Sequence, residues 1–228
     1  MRTIFIDLEM NPVNRKLYPE VRRILGMEVI EFGAVALDEG MTEVASFREF
    51  VKPQFNDRVP GKYRELTGIG MNRLASGVMF QEALEEFAAW CQGVDPDDEF
   101  SVYAWSESDL AQIIKECHAK NIEVSEAMAD VIRRWKDYQA IFMNMVDLTR
   151  AISLEHALDY AGIGFEGKMH DALYDARNTA NLYRESSDVN EFRRIRDSIR
   201  ICLGDSEHCA TSSLGSLFDF GKLMANAS

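Results

Sequence analysis

The sequence predicts an α/β fold, a central mixed β-sheet flanked by helices, and three observations carry that reading. The chain opens on an apolar strand, Met1-Arg-Thr-Ile-Phe-Ile-Asp-Leu-Glu-Met10. Two further strand-like runs, Glu28 to Leu37 and Glu43 to Val51, are joined by Asp38-Glu-Gly-Met41, which has the residues of a tight turn. From Phe100 a strand passes directly into a helical pattern, the alternation of an α/β layer. The first three strands are therefore expected to be antiparallel, with the first inside the sheet and later strands parallel to it.

The remaining elements follow in order. Asn11 to Gly26 is polar, carries Arg15, Lys16, Arg22 and Arg23, and reads as a loop or short helix. Pro53 and Pro60 bound a loop leading to Leu66-Thr-Gly-Ile-Gly70, where two glycines suit a backbone that bends or admits a ligand. From Phe80, apolar residues recur at Leu84, Phe87 and Cys91, an amphipathic helix ended by Gly93. Phe100 to Trp105 is a strand running into Ser106-Glu-Ser-Asp109, after which Leu110, Ile113, Ile114 and Cys117 keep helical spacing. Glu123 to Asp137 is helix-like, Ala140 to Leu148 reads as an apolar strand, and Ser153 caps a short helix. Gly162 to Met169 is a loop. A long helix begins near His170 or Asp171 and runs to about Arg184, with Ala172, Ala176, Ala180 and Tyr183 on one face. Phe192, Ile195 and Ile199 mark a last helix. The expected division is one domain over residues 1–187, then a C-terminal helix and flexible tail over 188–228, loosely attached from Gly204 onward.

Composition narrows the class. With 228 residues, 46% hydrophobic and 28% charged, the chain suits one ordinary globular domain. No apolar run approaches the ~20 residues that span a bilayer, and the N-terminus enters a strand at once, so no membrane partner and a cytoplasmic address are expected. Cys91, Cys117, Cys202 and Cys209 have no CxxC pairing and read as reduced thiols. Cys202, His208 and Cys209 lack a fourth ligand and a standard zinc spacing, so no zinc is assigned. Thirty-eight acids against twenty-five Lys and Arg leave a net charge of -13, which opposes tight unspecific binding to long nucleic acid. Lys52, Lys62, Arg64, Arg73, Lys168 and Arg177 are the basic candidates for lining one cleft.

Side chains alternate along a strand, so Phe5, Asp7 and Glu9 point one way and Ile4, Ile6 and Leu8 the other. Two like charges side by side in a core position are costly unless a cation neutralises them. A hard divalent ion would do so. Asp109 sits at a strand-to-helix junction, where Ser106-x-x-Asp109 also reads as a capping box. His170, Asp171 and Asp175 open the long helix, where acids are favoured by the helix dipole alone.

Order and spacing bring these patterns together. Phe5-Ile-Asp-Leu-Glu-Met10, Glu28-Val-Ile-Glu-Phe-Gly-Ala-Val35, Phe50-Val-Lys-Pro53, Leu66-Thr-Gly-Ile69, Asp109, and Phe165 to His170 through Asp175-Ala-Arg-Asn178 resemble the motifs of the DEDDh superfamily of 3′-to-5′ exonucleases. Within it the chain is most similar to the small ERI-type and KapD-like exonucleases, over about residues 2–185. The resemblance implies a ribonuclease H-like fold and two Mg²⁺ or Mn²⁺ ions, which in such sites lie ~3.5–4 Å apart. It implies that Asp7 bridges both ions, that Glu9 and Asp175 complete the first site, and that Asp109 holds the second. Oxygen donors suit such ions. His170 would be the general base, since imidazole, titrating near ~6.5, accepts a proton at neutral pH. Met10 and the Leu66, Thr67, Ile69 turn would wedge the terminal base and contact its sugar, with Trp105 as a stacking platform. Plain core packing is an equal reading of Leu66, Ile69 and Trp105.

Two departures from the family pattern stand out: Trp105 is followed by Ser-Glu-Ser in place of a small or glycine-containing run, and His170 by Asp-Ala-Leu-Tyr where Arg-Gly-Leu-Asp is common. Asp171 thereby adds a negative charge beside the phosphate site, against tight substrate affinity. The function implied is 3′-to-5′ hydrolysis of single-stranded or short RNA, with DNA behind it, to nucleoside 5′-monophosphates. The alternatives are a non-catalytic regulatory or scaffold protein on the same fold, and a nanoRNase-like enzyme for very short oligoribonucleotides.

Overall fold

The computed structural model describes residues 1–95, 97 and 99–203. The first strand, β1 (Arg2–Pro12), is followed by the short helix α1 (Pro19–Ile24), which occupies the polar segment after the strand. Next comes the expected hairpin, β2 (Met27–Leu37) and β3 (Glu43–Phe50), whose turn is closed by Asp38 Oδ1 accepting from Thr42 N–H at 2.9 Å. The loop after it folds into two short helices, α2 (Gly61–Thr67) and α3 (Met71–Leu74), separated by Gly68 in the left-handed region at φ 77°. The amphipathic helix is α4 (Phe80–Gly93); strand β4 (Phe100–Ala104) then feeds α5 (Ser108–Lys120).

One expectation fails here. Ala140 to Leu148 is no strand: its residues lie in helix α7 (Tyr138–Met145) and the turn after it. The fifth strand is instead β5 (Trp135–Asp137), three residues inside the segment read as helix, which contributes only α6 (Glu126–Arg133). A short apolar run does not distinguish strand from buried helix by periodicity. The cap decides it: Asp137 Oδ1 accepts from Ala140 N–H at 2.9 Å and starts α7. Helices α8 (Leu154–Ala161), capped by Ser153, α9 (Ala172–Ser187) and α10 (Val189–Leu203) complete the described chain. The tail from residue 204, with His208 and Cys209, lies outside the described residues.

The strands form one sheet in the order β3-β2-β1-β4-β5. β1 is central, antiparallel to β2 and parallel to β4, and β2 is antiparallel to β3, as expected from the hairpin and the later alternation. Ile4, Ile6 and Leu8 join Phe32, Ala34 and Ala36 against α4, α5 and α6. On the other face Phe5, Val35 and Leu37 pack on Ala176 and Ala180 of α9. A separate apolar cluster binds α7, α8 and α10 together through Tyr138, Phe142, Leu158, Ile195 and Ile199. Alternation thus places Asp7 and Glu9 on the α9 side of the sheet, facing the helix that carries Asp175.

Two contacts set where the helices stand. α5 is tied down at its C-terminal end, where buried Glu116 accepts from Val29 N–H at 2.8 Å and pairs with Lys120 at 2.6 Å, while Lys120 lies 3.2 Å from Glu28. Its first turn, with Asp109, is left at the C-terminal end of β1. The second contact is at Gly33, which faces Asp7 in the β1–β2 register. A Cβ on Gly33 would collide with backbone atoms of Ala172 and Leu173, so only glycine lets the start of α9 lie this close to the sheet.

Gly33→Ala is therefore expected to cost about 1–3 kcal/mol, the usual range for overpacking a filled site. Urea denaturation of the metal-free protein measures it, and an unchanged midpoint would show that α9 does not rest on Gly33.

Candidate active site

Asp7, Glu9, Asp109, His170 and Asp175 come from three separate parts of the chain and line one cleft of about 350 Å³. β1 supplies Asp7 and Glu9 just past the point where its pairing with β4 ends at Ile6, and the parallel neighbour β4 delivers α5, whose first turn carries Asp109. Crevices at the carboxyl ends of parallel strands are the ordinary place for a site in an α/β sheet. Asp175 stands in the first turn of α9, and His170 lies just before it with φ at 60°. Ligand atoms of Glu9, His170 and Asp175 fall within 4.8 Å of one another. Glu9 and Asp109 are buried, Asp175 is half-buried and His170 is exposed at the mouth.

Backbone amides hold the acids in place. The Asp109 carboxylate accepts from Leu8 N–H, and that of Asp175 from the N–H groups of His170 and Asp171. No capping box closes at Ser106-x-x-Asp109: α5 has Glu107 at its cap with no side-chain cap bond, so Asp109 is left to the cleft. Met10 and Trp105 also line the cleft. Trp105 is mostly buried, donates its Nε1–H to Ile152 O at 3.3 Å and packs on Tyr138 and Phe142. Leu66, Thr67 and Ile69 stand off the cleft wall: Leu66 is exposed on α2, Thr67 Oγ1 accepts from Ile69 N–H at 3.0 Å, and Ile69 is buried with Ile30 and Leu74. The wall also includes Ser106, Ser108, Leu154, Phe165 and Met169, to which the sequence assigned no site role. They gather only through tertiary contacts.

The electrostatics are one-sided. Burial, then Asp109, Asp175, Glu9 and Glu31, push the Asp7 carboxyl well above its ordinary range. Burial, followed by Asp175, raises Glu9 to about 8. Asp109 and Asp175 rise to about 7, burial again the first cause, although backbone amides pull both down. The side-chain charges that act most strongly on Asp7 and Glu9 are other acids. A set of oxygen donors that repel one another, buried and with no cation of the protein's own paired to them among the described residues, fits hard divalent ions. Asp7, Glu9, Asp109 and Asp175 would hold them.

The geometry agrees with the comparisons to known proteins. A family model described as RNase T, exonuclease, matches residues 4–183. The chain belongs to that exonuclease family. The ERI1 exoribonuclease 2 of Danio rerio is 31% identical over 175 residues, covering 69% of this chain and 31% of the relative. That of Xenopus laevis is 29% identical over 174 residues, covering 68% of this chain and 25% of the relative, so this chain spans a minor part of both. The 3′-5′ exonuclease Snipper of Drosophila melanogaster is 27% identical over 196 residues, covering 78% and 66%. The nuclease domain of 3′hExo, a DEDDh family member bound to rAMP, superposes with a TM-score of 0.70 over 83% of this chain and 94% of that one, at 20% identity. The mixed five-stranded sheet flanked by helices is thus the ribonuclease H-like fold of these exonucleases.

Carboxyls raised in the folded state bind more protons than in the unfolded chain, so their contribution is present at low pH and lost as pH rises. Between the ordinary carboxylate range and about 8, where Glu9 titrates, metal-free stability should fall with rising pH. Thermal melts in EDTA from pH 5.5 to 8.5 are expected to show a declining Tm, and added Mn²⁺ to raise Tm most at the alkaline end. A Mn²⁺ effect that is equal at all pH values, or absent, would count against the carboxylate cluster as the ion site.

Proposed function

We propose that this chain is a metal-dependent 3′-to-5′ exonuclease that removes nucleoside 5′-monophosphates from single-stranded or short RNA, with DNA as a weaker substrate. The observation that carries the reading is the cluster of four mutually repelling carboxylates with His170 at its mouth. Two Mg²⁺ or Mn²⁺ ions bound there would neutralise the scissile phosphate and make water a better nucleophile.

The chain's own residues do the rest. His170, exposed beside Glu9 and Asp175, approaches from outside the carboxylates and takes the proton of the attacking water. Only the neutral imidazole can do so. Met10 lies on the cleft wall just past the bulge between Glu9 and Met10, where a terminal base would rest. Leu66, Thr67 and Ile69 stand outside the cleft wall, where Thr67 holds the Ile69 amide, Gly68 turns the chain, and exposed Leu66 would meet the base only from beyond the cleft. Trp105, its indole N–H already used, supports the wall beneath.

The charge balance bears on substrate length. Among the basic candidates, Arg177 is held by Glu43 at 2.7 and 2.8 Å, and Lys168 reaches over Gly68 at the rim. With a net charge of -13, affinity rests on the ions and the last few nucleotides and not on a long phosphate track. That favours short substrates, which is also the nanoRNase-like form of this reading. The exoribonuclease names of the relatives support RNA ahead of DNA. No helix among the described residues is long and apolar enough to cross a membrane, and buried free thiols at Cys91 and Cys117 support a cytoplasmic setting.

A 5′-labelled single-stranded RNA incubated with Mn²⁺ should shorten as a ladder from its 3′ end. Asp7→Ala is expected to abolish this while the metal-free protein stays folded or gains stability, because removing one carboxylate relieves repulsion. His170→Ala should lower turnover by about 10²–10⁴-fold with Mn²⁺ binding retained, the usual worth of a general base. A wild-type protein inert on RNA of every length would overturn the catalytic reading.

A further inference from the structure

Arg48 is a charged group beside the site that the proposed hydrolysis leaves without a task. It projects from the edge strand β3, opposite Gly33 in the β2–β3 register, so Asp7, Gly33 and Arg48 lie in one row across three strands. The start of α9 crosses that row at Gly33. On the side away from Asp7, Arg48 Nη2 lies 2.6 Å from Glu31 Oε1 and 2.6 Å from Asp171 Oδ2. Glu31 is fully buried, faces Glu9 in the register, and its Oε2 accepts from Ala172 N–H at 3.4 Å. Asp171 also caps α9, its Oδ1 accepting from Tyr174 N–H at 3.4 Å. One guanidinium therefore joins β2, β3 and the first turn of α9.

The residue next to this junction is His170, whose φ of 60° is a conformation that L residues rarely adopt. Such a backbone persists only where its surroundings over-determine it. On one side the Asp175 carboxylate accepts the amides of His170 and Asp171. On the other, Arg48 grips the Asp171 side chain. The junction is not an efficient way to gain stability: Arg48 Nε and Glu31 Oε1 are both buried with no hydrogen-bond partner, so Arg48 holds Glu31 by charge alone, and a buried ion pair is often replaceable by apolar groups at no loss. What it does supply is a fixed direction for the peptide that carries the imidazole.

We propose that Arg48 is a positioning residue for hydrolysis: by bridging Glu31 and Asp171 it locks the turn at residues 170–172 and aims His170 into the cleft without touching substrate. This rests on His170 as the general base, and it gives Asp171 a role other than repelling phosphate. Asp171 shares Arg48 with Glu31, so the three groups together keep one negative charge.

Two variants separate positioning from capping and folding. Asp171→Asn keeps a good N-cap but removes the charge, and Arg48→Gln removes the cation. Both should lower kcat on a short single-stranded RNA by about 10- to 100-fold with KM little changed, since small misplacements of a catalytic group cost that much. Mn²⁺ affinity by calorimetry should change less than kcat, because the ion-holding carboxylates themselves are kept. Arg48→Lys, which restores a cation between the two acids, should recover part of kcat. The second readout needs neither metal nor substrate: the ring signal of His170 in a ¹H–¹³C spectrum, assigned by its loss in His170→Ala, should shift or broaden in both variants. A His170 signal unmoved in folded Arg48→Gln and Asp171→Asn overturns the proposal, as does a raised KM with unchanged kcat, which would make Arg48 a phosphate contact. Should the signal move while His170→Ala turns over normally, positioning stands and the general-base assignment falls.

Discussion

The close contact between the start of α9 and Gly33 is the constraint on which the rest of the site depends. Side chains normally fill the gap between a helix and the sheet it packs on. Here one position has no side chain, and backbone meets backbone at Ala172 and Leu173. Asp175, one turn into the helix, is thereby brought down beside Asp7 and Glu9. With an ordinary residue at position 33 the helix would ride higher, and the third acidic motif would be withdrawn from the other two. Arg48 acts on the same turn from the far side, so the helix start is held between the carboxylate cluster and an ion pair.

The treatment of buried charge divides the molecule into two regimes. Away from the cleft, buried acids have partners within the protein: Glu28 and Glu116 share Lys120, Glu31 has Arg48, and Asp95 lies by the N-terminus and Arg2. Inside the cleft, Asp7, Glu9, Asp109 and Asp175 have one another, and burial with mutual repulsion lifts their titration toward neutrality. Uncompensated burial of this kind is costly unless something enters to relieve it. The contrast within one chain is a better argument for an ion site than the presence of acids, since the same fold shows how it neutralises a carboxylate when no ligand is meant to.

Much of this was legible in the sequence because it is local. The strand alternation that puts Asp7 and Glu9 on one face, the hairpin from Glu28 to Val51 and the passage from β4 into α5 all follow from patterns within a few residues. The run from Ala140 to Leu148 was not legible, because apolar residues alone carry no period there and the deciding cap, Asp137, precedes it. The 66–70 turn is a middle case. Its glycines marked the bend, but which of Leu66 and Ile69 is buried depended on Ile30 from a distant strand.

By itself, then, the sequence determined the strand order up to the third strand, the two faces of β1, the helix starts that carry Asp109 and Asp175, and the acidic balance of the chain. Only the tertiary structure decided that the four carboxylates meet with no cation paired to them among the described residues, that Gly33 is the seat of α9, and that Arg48 is shared by Glu31 and Asp171. The physical reason is range. Propensity, alternation and capping act over one or two turns of chain, whereas Arg48 and Asp171 lie 123 residues apart and Glu31 and Ala172 lie 141 apart. A charge reads as repulsive from its neighbours in sequence until folding supplies its partner.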